Sequence, residues 1–445
     1  MDSVNVEREG RCHVAAMPYP GRGHINPMMN FCELLATRSP DILVSLVVTE
    51  EWVGCLAGPE SEIPPPNMRF CSIPNVVPSE LDRGADIASF LDAVMTKMEA
   101  PFERLLDGLE PPATVIVADL FLHWALEVGN RRNIPMVLLC TLSASVFWIM
   151  YHFNRVVENK HFPVNLAEKG NECVDYIPGL STLRIRDLPT KLHGLTETQI
   201  SQHVLRVFLW EFKPQFIMFT SIYELEAIKD ANFPIPFYTI GPTAIPYFKL
   251  KNTLPLPTTN NDADHYLQWL HTQPPNSVVY ISFGSIHSIP NLQMEELNVG
   301  LCIAGVRFLW AICAETNSQI KEQCSELGLV VPWCDQLKVL CHPSVGGFWT
   351  HCGWNSVLEG IFAGVPMLAF PLTVDQITNS KIVVEDLKIG WRVRETSVVE
   401  VETLVNRDDI AWLVQRFMDL ENAEIKDMRK RVRELQDMCL GTIAK

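Results

Sequence analysis

The chain has 445 residues, 47% hydrophobic and 20% charged, with a formal net charge of −16. That length suits two domains of about 200 residues each, and the acidic balance excludes nucleic acid as a partner, because such binders carry a basic surface. Thirteen cysteines, scattered from Cys12 to Cys439 with no CxxC pair, fit neither a disulfide framework nor a structural zinc site and read as reduced thiols of a cytoplasmic protein.

The opening MDSVNVEREGR is polar and charged, unlike a secretory signal. Short apolar runs follow at Val14 to Met17, Leu43 to Val48, Thr114 to Val117 and Met136 to Leu139, with amphipathic stretches between them. This alternation predicts a parallel sheet covered by helices. Behind the first run stands Tyr19-Pro20-Gly21-Arg22-Gly23-His24-Ile25-Asn26-Pro27, where Asn26 can cap a helix and Pro27 can begin it. His24 then falls in a glycine-opened loop beyond a strand end, where ligands of such sheets bind.

Asp119 ends the run that starts at Thr114 and is expected at the same sheet edge as His24. An imidazole can take a proton from a hydroxyl, a general-base step worth about 10²- to 10⁴-fold. It works best when a carboxylate fixes its tautomer. The plainer readings are a structural histidine and an Asp119 that caps a helix over Leu120 to Leu126. Phe121, Trp124, Phe147 and Trp148 can line an apolar acceptor pocket or simply fill the core.

Ile134 to Tyr151 runs eighteen residues without a charge, about the length of a bilayer span. Pro135, Thr141, Ser143 and Ser145 interrupt it, so a buried strand from Met136 to Leu139 followed by a core helix from about Ser143 is expected, with no membrane span. Prolines 234, 236, 242, 246, 255 and 257 then mark a linker. The expected division is an N-terminal domain over 1–240, a linker region over 241–275 and a C-terminal domain over 276–445.

A second alternating series starts at Val278 to Ser282 and continues through Phe308 to Ala311, Leu329 to Val331, Gly347 to Thr350 and Met367 to Phe370. Two similar α/β domains facing each other across a cleft are the expected architecture. The stretch from Trp333 to Gln376 carries the most chemistry. An apolar run ends at Thr350-His351, then Gly353, Asn355 and Ser356 precede helically spaced Val357, Leu358, Ile361 and Phe362. A strand running into a helix start is an anion site, and a glycine there lets the backbone approach a phosphate. Ser356 and Glu359, three residues apart, also spell a capping box.

Trp333, Gln336, the core His351-Cys352-Gly353-Trp354-Asn355-Ser356, Glu359 and the closing Asp375-Gln376 resemble the donor box of plant UDP-sugar glycosyltransferases acting on small molecules. The resemblance implies the GT-B architecture of two Rossmann-like domains. It also implies roles: Trp333 stacks on uracil, the Cys334 backbone pairs with the base, and Glu359 accepts from the ribose hydroxyls. His351, Asn355, Ser356 and Ser285 hold the diphosphate. Asp375 and Gln376 grip the sugar, and Gln376 with Trp354 accompanies glucose. In the first domain His24 matches the family's base, Asp119 its partner, and Thr141 a position that touches the donor sugar. Cys334-Asp335 stands where the family often has Ala-Pro, which implies a less rigid loop. A segment that follows the equivalent of Ala423 to Met438 and returns to the first domain is expected to be short here.

The implied reaction is inverting, metal-independent transfer of a sugar, above all glucose, from a UDP-sugar to a hydroxyl or carboxyl of a small hydrophobic acceptor, by a monomer that needs no cofactor. Three alternatives stand beside it. Asp262-Ala263-Asp264 has the letters of a manganese-binding transferase motif, but it lies where acidic residues commonly start a helix. Gly21-x-Gly23 is part of a nicotinamide fingerprint, but Asn26 replaces its third glycine and Glu50 comes late for its acid. A non-catalytic sugar-nucleotide-binding protein would share the donor box, and the presence of both His24 and Asp119 favours the enzyme.

Overall fold

The computed structural model describes residues 12–56, 63–79, 87–162, 164–189, 213–226, 233–242, 245, 265–284, 289–312, 327–393 and 404–443. By their contacts the residues form two compact units: Met1–Thr141 with Glu197–Thr220 and Asp230–Ala244, and Leu142–Thr196 with Ser221–Lys229 and Ile245–Lys445. A linear division at residue 240 puts 142–196 with the first sheet. Its contacts place it with the second unit, because its helices pack there: Thr378 Oγ1 donates to the Asp187 carbonyl at 2.7 Å and Lys381 Nζ to Ser181 Oγ at 2.7 Å.

The first unit holds a seven-stranded parallel sheet of β1 (His13–Met17), β2 (Leu43–Thr49), β3 (Met68–Ile73), β4 (Val115–Asp119), β5 (Met136–Cys140), β6 (Phe216–Phe219) and β7 (Phe237–Thr239). Its order is β3-β2-β1-β4-β5-β6-β7, so the chain reverses direction across the sheet between β1 and β4. The central strands are continuous apolar runs buried on both faces, as a parallel sheet under helices requires. Helix α1 (Arg22–Arg38) buries Ile25, Met28, Cys32 and Ala36 against the sheet, and α2 (His123–Arg132) follows β4.

The second unit repeats the pattern in a six-stranded parallel sheet of β8 (Val278–Ser282), β9 (Arg307–Ala311), β10 (Gly328–Val331), β11 (Val345–Thr350), β12 (Met367–Ala369) and β13 (Gly390–Arg392). Its order is β10-β9-β8-β11-β12-β13, with the reversal between β8 and β11. Helix α3 (Ala144–Tyr151) belongs to this unit. Three short or long helices frame its carboxyl edge or back: α4 (Gln336–Leu340), α5 (Trp354–Ala363) and α6 (Gln376–Lys381), while α7 (Arg407–Met418) and α8 (Ala423–Ile443) cover the sheet.

The uncharged stretch Ile134 to Tyr151 resolves into β5 and α3, with Ser143 capping the helix through its bond from the Val146 amide at 3.2 Å. Among the described residues no helix is long and apolar enough to cross a membrane. Ten described cysteines are free thiols, whereas Cys302 is disulfide-bonded. The expectation of thiols throughout therefore fails at that position, which no spacing motif marked. Of the linker, Ile245 packs with Leu337 and Phe362, and residues 246–264, with Asp262 and Asp264, lie outside the described residues.

Candidate functional site

In the first unit three neighbouring strand ends meet. Met17 pairs with Ala118 and Asp119 with Leu139, so the chain beyond β1, β4 and β5 emerges on one edge, at the reversal point where α/β sheets bind ligands. His24 Nδ1 lies 2.8 Å from Asp119 Oδ2 and 2.9 Å from Thr141 Oγ1. Asp119 is 1% exposed and His24 22%, so the carboxylate is sealed behind an imidazole that still reaches solvent. The other oxygen, Asp119 Oδ1, accepts from the Phe121 amide at 3.0 Å. An ionised carboxylate can only accept, so Nδ1 carries the proton and Nε2 presents its lone pair. Nε2 has no hydrogen-bond partner among the described residues.

Two local expectations are corrected here. The amides of His24 and Ile25 both bond the Gly21 carbonyl at 2.9 Å, so α1 starts at Arg22 with Gly21 as its cap. His24 therefore sits in the first helical turn, not in a loop, and Pro27 lies inside the helix, past the free amides of the first turn, so its missing N–H removes one bond of the helical ladder. Asp119 is not a helix cap either, since α2 begins only at His123.

The aromatic expectation divides. Phe121 is half-buried and stands edge-on to the His24 ring at 5.8 Å, with Tyr19 at 5.0 Å from the same ring and Phe90 at 5.9 Å from Tyr19. Tyr19 and Phe90 were not singled out from the sequence, although Tyr19 shares the segment between β1 and α1. Trp124 is core, its Nε1 donating to the Val94 carbonyl at 3.1 Å. In the second unit Phe147 and Trp148 are fully buried, Trp148 donating to the Pro178 carbonyl at 2.8 Å.

In the second unit the equivalent reversal is built differently. Beyond β8 lies Gly284 and beyond β11 lies His351, and Ser282 pairs with Thr350. A Cβ on Gly284 would come within 2.8 Å of His351 Nε2, and one on Gly353 within 2.6 Å. Both glycines thus clear room for the imidazole, a second reason for Gly353 besides backbone approach. Gly284 has φ +79° beyond β8, and Cys352 has φ +65° in the tight turn from β11 into α5. Asn379 Nδ2 holds it by donating to the Cys352 carbonyl at 3.0 Å.

Helix α5 starts at Trp354 with Gly353 as cap and no side-chain capping bond, and its first turn closes with the Val357 amide on the Gly353 carbonyl at 3.0 Å. The capping box of Ser356 and Glu359 does not form, because both side chains lie past the helix start and serve another group. Gln336 Nε2 donates to Ser356 Oγ at 2.9 Å and to Glu359 Oε2 at 2.5 Å. Burial pushes the Glu359 carboxyl up to about 7, against the pull of the Gln336 bond. An uncapped helix start with its dipole directed outward suits an anion.

Trp333 is 63% exposed, an indole left as an open platform just past β10. Cys334 behind it is buried, and burial pushes its thiol up to about 11. Two hydrogen bonds hold the loop at the position where Ala-Pro is expected. Asp335 Oδ1 caps α4 through the Lys338 amide at 3.1 Å, and its own amide donates to Tyr266 Oη at 3.2 Å. Gln376 Oε1 accepts from the Leu372 and Thr373 amides at 2.8 and 3.0 Å, and Asp375 Oδ2 accepts from Asn379 at 2.8 Å. Between them and β12, Val374 adopts φ +56°, a strained conformation for a β-branched residue of the kind that gathers at functional loops. Trp354 is buried and His351 and Asn355 half-buried, while Ser285 lies outside the described residues.

Twin Rossmann-like sheets, one edged by a His-Asp pair and the other by an aromatic platform and an uncapped helix start, have the parts of a nucleotide-dependent group-transfer enzyme. Residues 248–405 match the family described as UDP-glucoronosyl and UDP-glucosyl transferase. UDP-glycosyltransferase 87A2 of Arabidopsis thaliana is 46% identical over 441 residues, 97% of this chain and 93% of the relative. The structure of Phytolacca americana UGT2 complexed with UDP-2fluoro-glucose and pterostilbene is similar at TM-score 0.77 and 27% identity, covering 96% of this chain and 94% of that one. Os79 from O. sativa in complex with U2F and trichothecene is similar at TM-score 0.79 and 27% identity, covering 96% and 95%. The chain belongs to the plant UDP-glycosyltransferase family and is an enzyme that transfers a sugar from a UDP-sugar to a small acceptor.

Proposed function

We propose that the sugar is glucose, that transfer inverts the anomeric centre without a metal, and that the acceptor is a hydroxyl or carboxyl of a small hydrophobic molecule. The observation that carries the reading is the His24–Asp119 bond of 2.8 Å at the reversal point of the first sheet. His24 Nε2 removes the acceptor proton, the acceptor oxygen attacks the anomeric carbon of a UDP-α-glucose from the opposite face, and the glycosidic bond to UDP breaks. Asp119 stabilises the imidazolium that forms.

For the donor, Trp333 supplies the uracil platform, Cys334 the backbone partner of the base, and Glu359, held by Gln336, the ribose acceptor. The start of α5, with His351, Gly353, Asn355, Ser356 and Ser285, receives the charge that grows on the diphosphate, a role a metal fills in other transferases. Thr141, Trp354, Asp375 and Gln376 address the sugar. Phe121 and Tyr19, packed around the base, are the apolar surface nearest the reacting hydroxyl. Aromatic packing there supports a hydrophobic acceptor, as do the pterostilbene and trichothecene named with the two related structures.

A test is product analysis with UDP-glucose and a panel of phenols, terpenoid alcohols and small carboxylic acids. The expected product is a β-glucoside by its anomeric proton coupling, formed at the same rate with EDTA. An α-linked product would refute inversion, and activity lost to EDTA and restored by manganese would refute metal independence.

A further inference from the structure

One chain of hydrogen bonds in the second unit runs from the sheet into the donor site. Tyr280, in the middle of β8, is buried and stacks on Phe348 at 5.3 Å. Its Oη lies 3.4 Å from Cys334 Sγ and 3.3 Å from Gln336 Oε1. Gln336 in turn spends its two amide hydrogens on Ser356 Oγ and Glu359 Oε2. We infer that Tyr280 is a positioning residue for the sugar nucleotide: its hydroxyl fixes the Gln336 amide so that the NH₂ end, not the oxygen, faces Glu359.

In the ionised form of Glu359 the direction of the chain follows from donor counts and agrees with the bonds observed. An ionised carboxylate has no hydrogen to give, so Gln336 must present nitrogen to it and oxygen to Tyr280. Tyr280 then donates to Gln336 Oε1, and Cys334, whose thiol is held protonated by burial, can donate to Tyr280 Oη. Without the tyrosine hydroxyl the amide can turn over, and its oxygen against Glu359 opposes ionisation. Of the other titratable groups around this carboxylate, Asp335 opposes its ionisation by charge, while Cys334, Cys341 and Tyr280, all pushed up by burial, stay neutral and lend it no positive charge. Gln336 is thus the group that keeps Glu359 able to accept from a ribose, and Tyr280 keeps Gln336 in place.

The inference rests on Glu359 as ribose acceptor, and the experiment separates the two ideas. UDP-glucose affinity is measured by calorimetry from pH 5.5 to 9, as about seven points, for the wild-type chain, Tyr280→Phe and Glu359→Gln. Wild-type affinity should fall as pH drops through about 7, where Glu359 takes up its proton. Tyr280→Phe, which keeps the ring stacked on Phe348, should bind about three- to tenfold more weakly at neutral pH, with its affinity curve displaced to higher pH and converging on wild type at the alkaline end. A curve superposed on wild type, or one weakened equally at every pH, overturns the role of Tyr280. Gln336→Leu should reproduce the displacement if Tyr280→Phe does not fold. Glu359→Gln should bind weakly with no pH dependence near 7, and wild-type binding by this variant would instead remove Glu359 from the ribose site.

Discussion

The first sheet opens between β1 and β4 and the second between β8 and β11, yet the two openings are furnished in opposite ways. At the first, polar groups are already matched: Asp119 is committed to His24 and to a backbone amide, and only Nε2 of the imidazole is left to act. At the second, the turn is cleared by Gly284 and Gly353, the helix start carries no side-chain cap, and Trp333 stands exposed. One topology therefore presents a histidine–carboxylate pair in one unit and, in the other, the cleared turn that the proposed function assigns to the donor. The difference lies in what each strand end leaves unsatisfied.

Variants that strike one opening alone sharpen that contrast. Asp119→Asn leaves the geometry but removes the charge behind the imidazole, and turnover should fall about 10²- to 10⁴-fold with the KM for UDP-glucose nearly unchanged. A comparable rise in that KM would mean that Asp119 acts through donor binding and not through the imidazole. Trp333→Ala removes the exposed platform and should weaken UDP-glucose binding about ten- to hundredfold by calorimetry, the range for base stacking, while single-turnover chemistry at saturation persists. Thr141→Val deletes one of two partners of His24 Nδ1. With Asp119 still in place, stopped assays should show only a severalfold loss in kcat, about the worth of one neutral hydrogen bond.

The smallest effect is on stability. The Glu359 carboxyl is pushed up to about 7 from an ordinary 4.5, so the folded chain holds this proton more tightly than the unfolded chain. Its contribution is present below the ordinary range and is lost as pH rises through about 7. Glu359→Gln cannot ionise, so its Tm relative to wild type should improve between about pH 5 and pH 8. A difference that shrinks over that interval would mean the carboxylate is stabilised in the fold, not opposed by it.

The strands of both sheets were legible where burial on two faces demands unbroken apolar runs, as at β1, β4, β5 and β11. β3, β7 and β13, at sheet edges, and the brief β6 were not, because Arg69 and Ser72 break the apolar run of Met68–Ile73, and Phe237–Thr239 and Gly390–Arg392 are three residues long. Helix starts misled for a definable reason. Asn26 and Ser356 are good capping residues, but a preceding glycine takes the cap in each case, and Ser356 is occupied by Gln336. The His24–Asp119 pairing could be read from two strand ends, since the reversal point brings β1 and β4 together. Tyr19 and Tyr280 could not, because an aromatic at a strand looks like core until its hydroxyl or ring is seen against a functional group.

The most direct measurement pairs calorimetry with turnover for His24→Ala. The division of labour between the two units predicts UDP-glucose affinity within about twofold of wild type and transfer reduced by at least about 10²-fold. Wild-type turnover, or donor binding lost in parallel with activity, would contradict it.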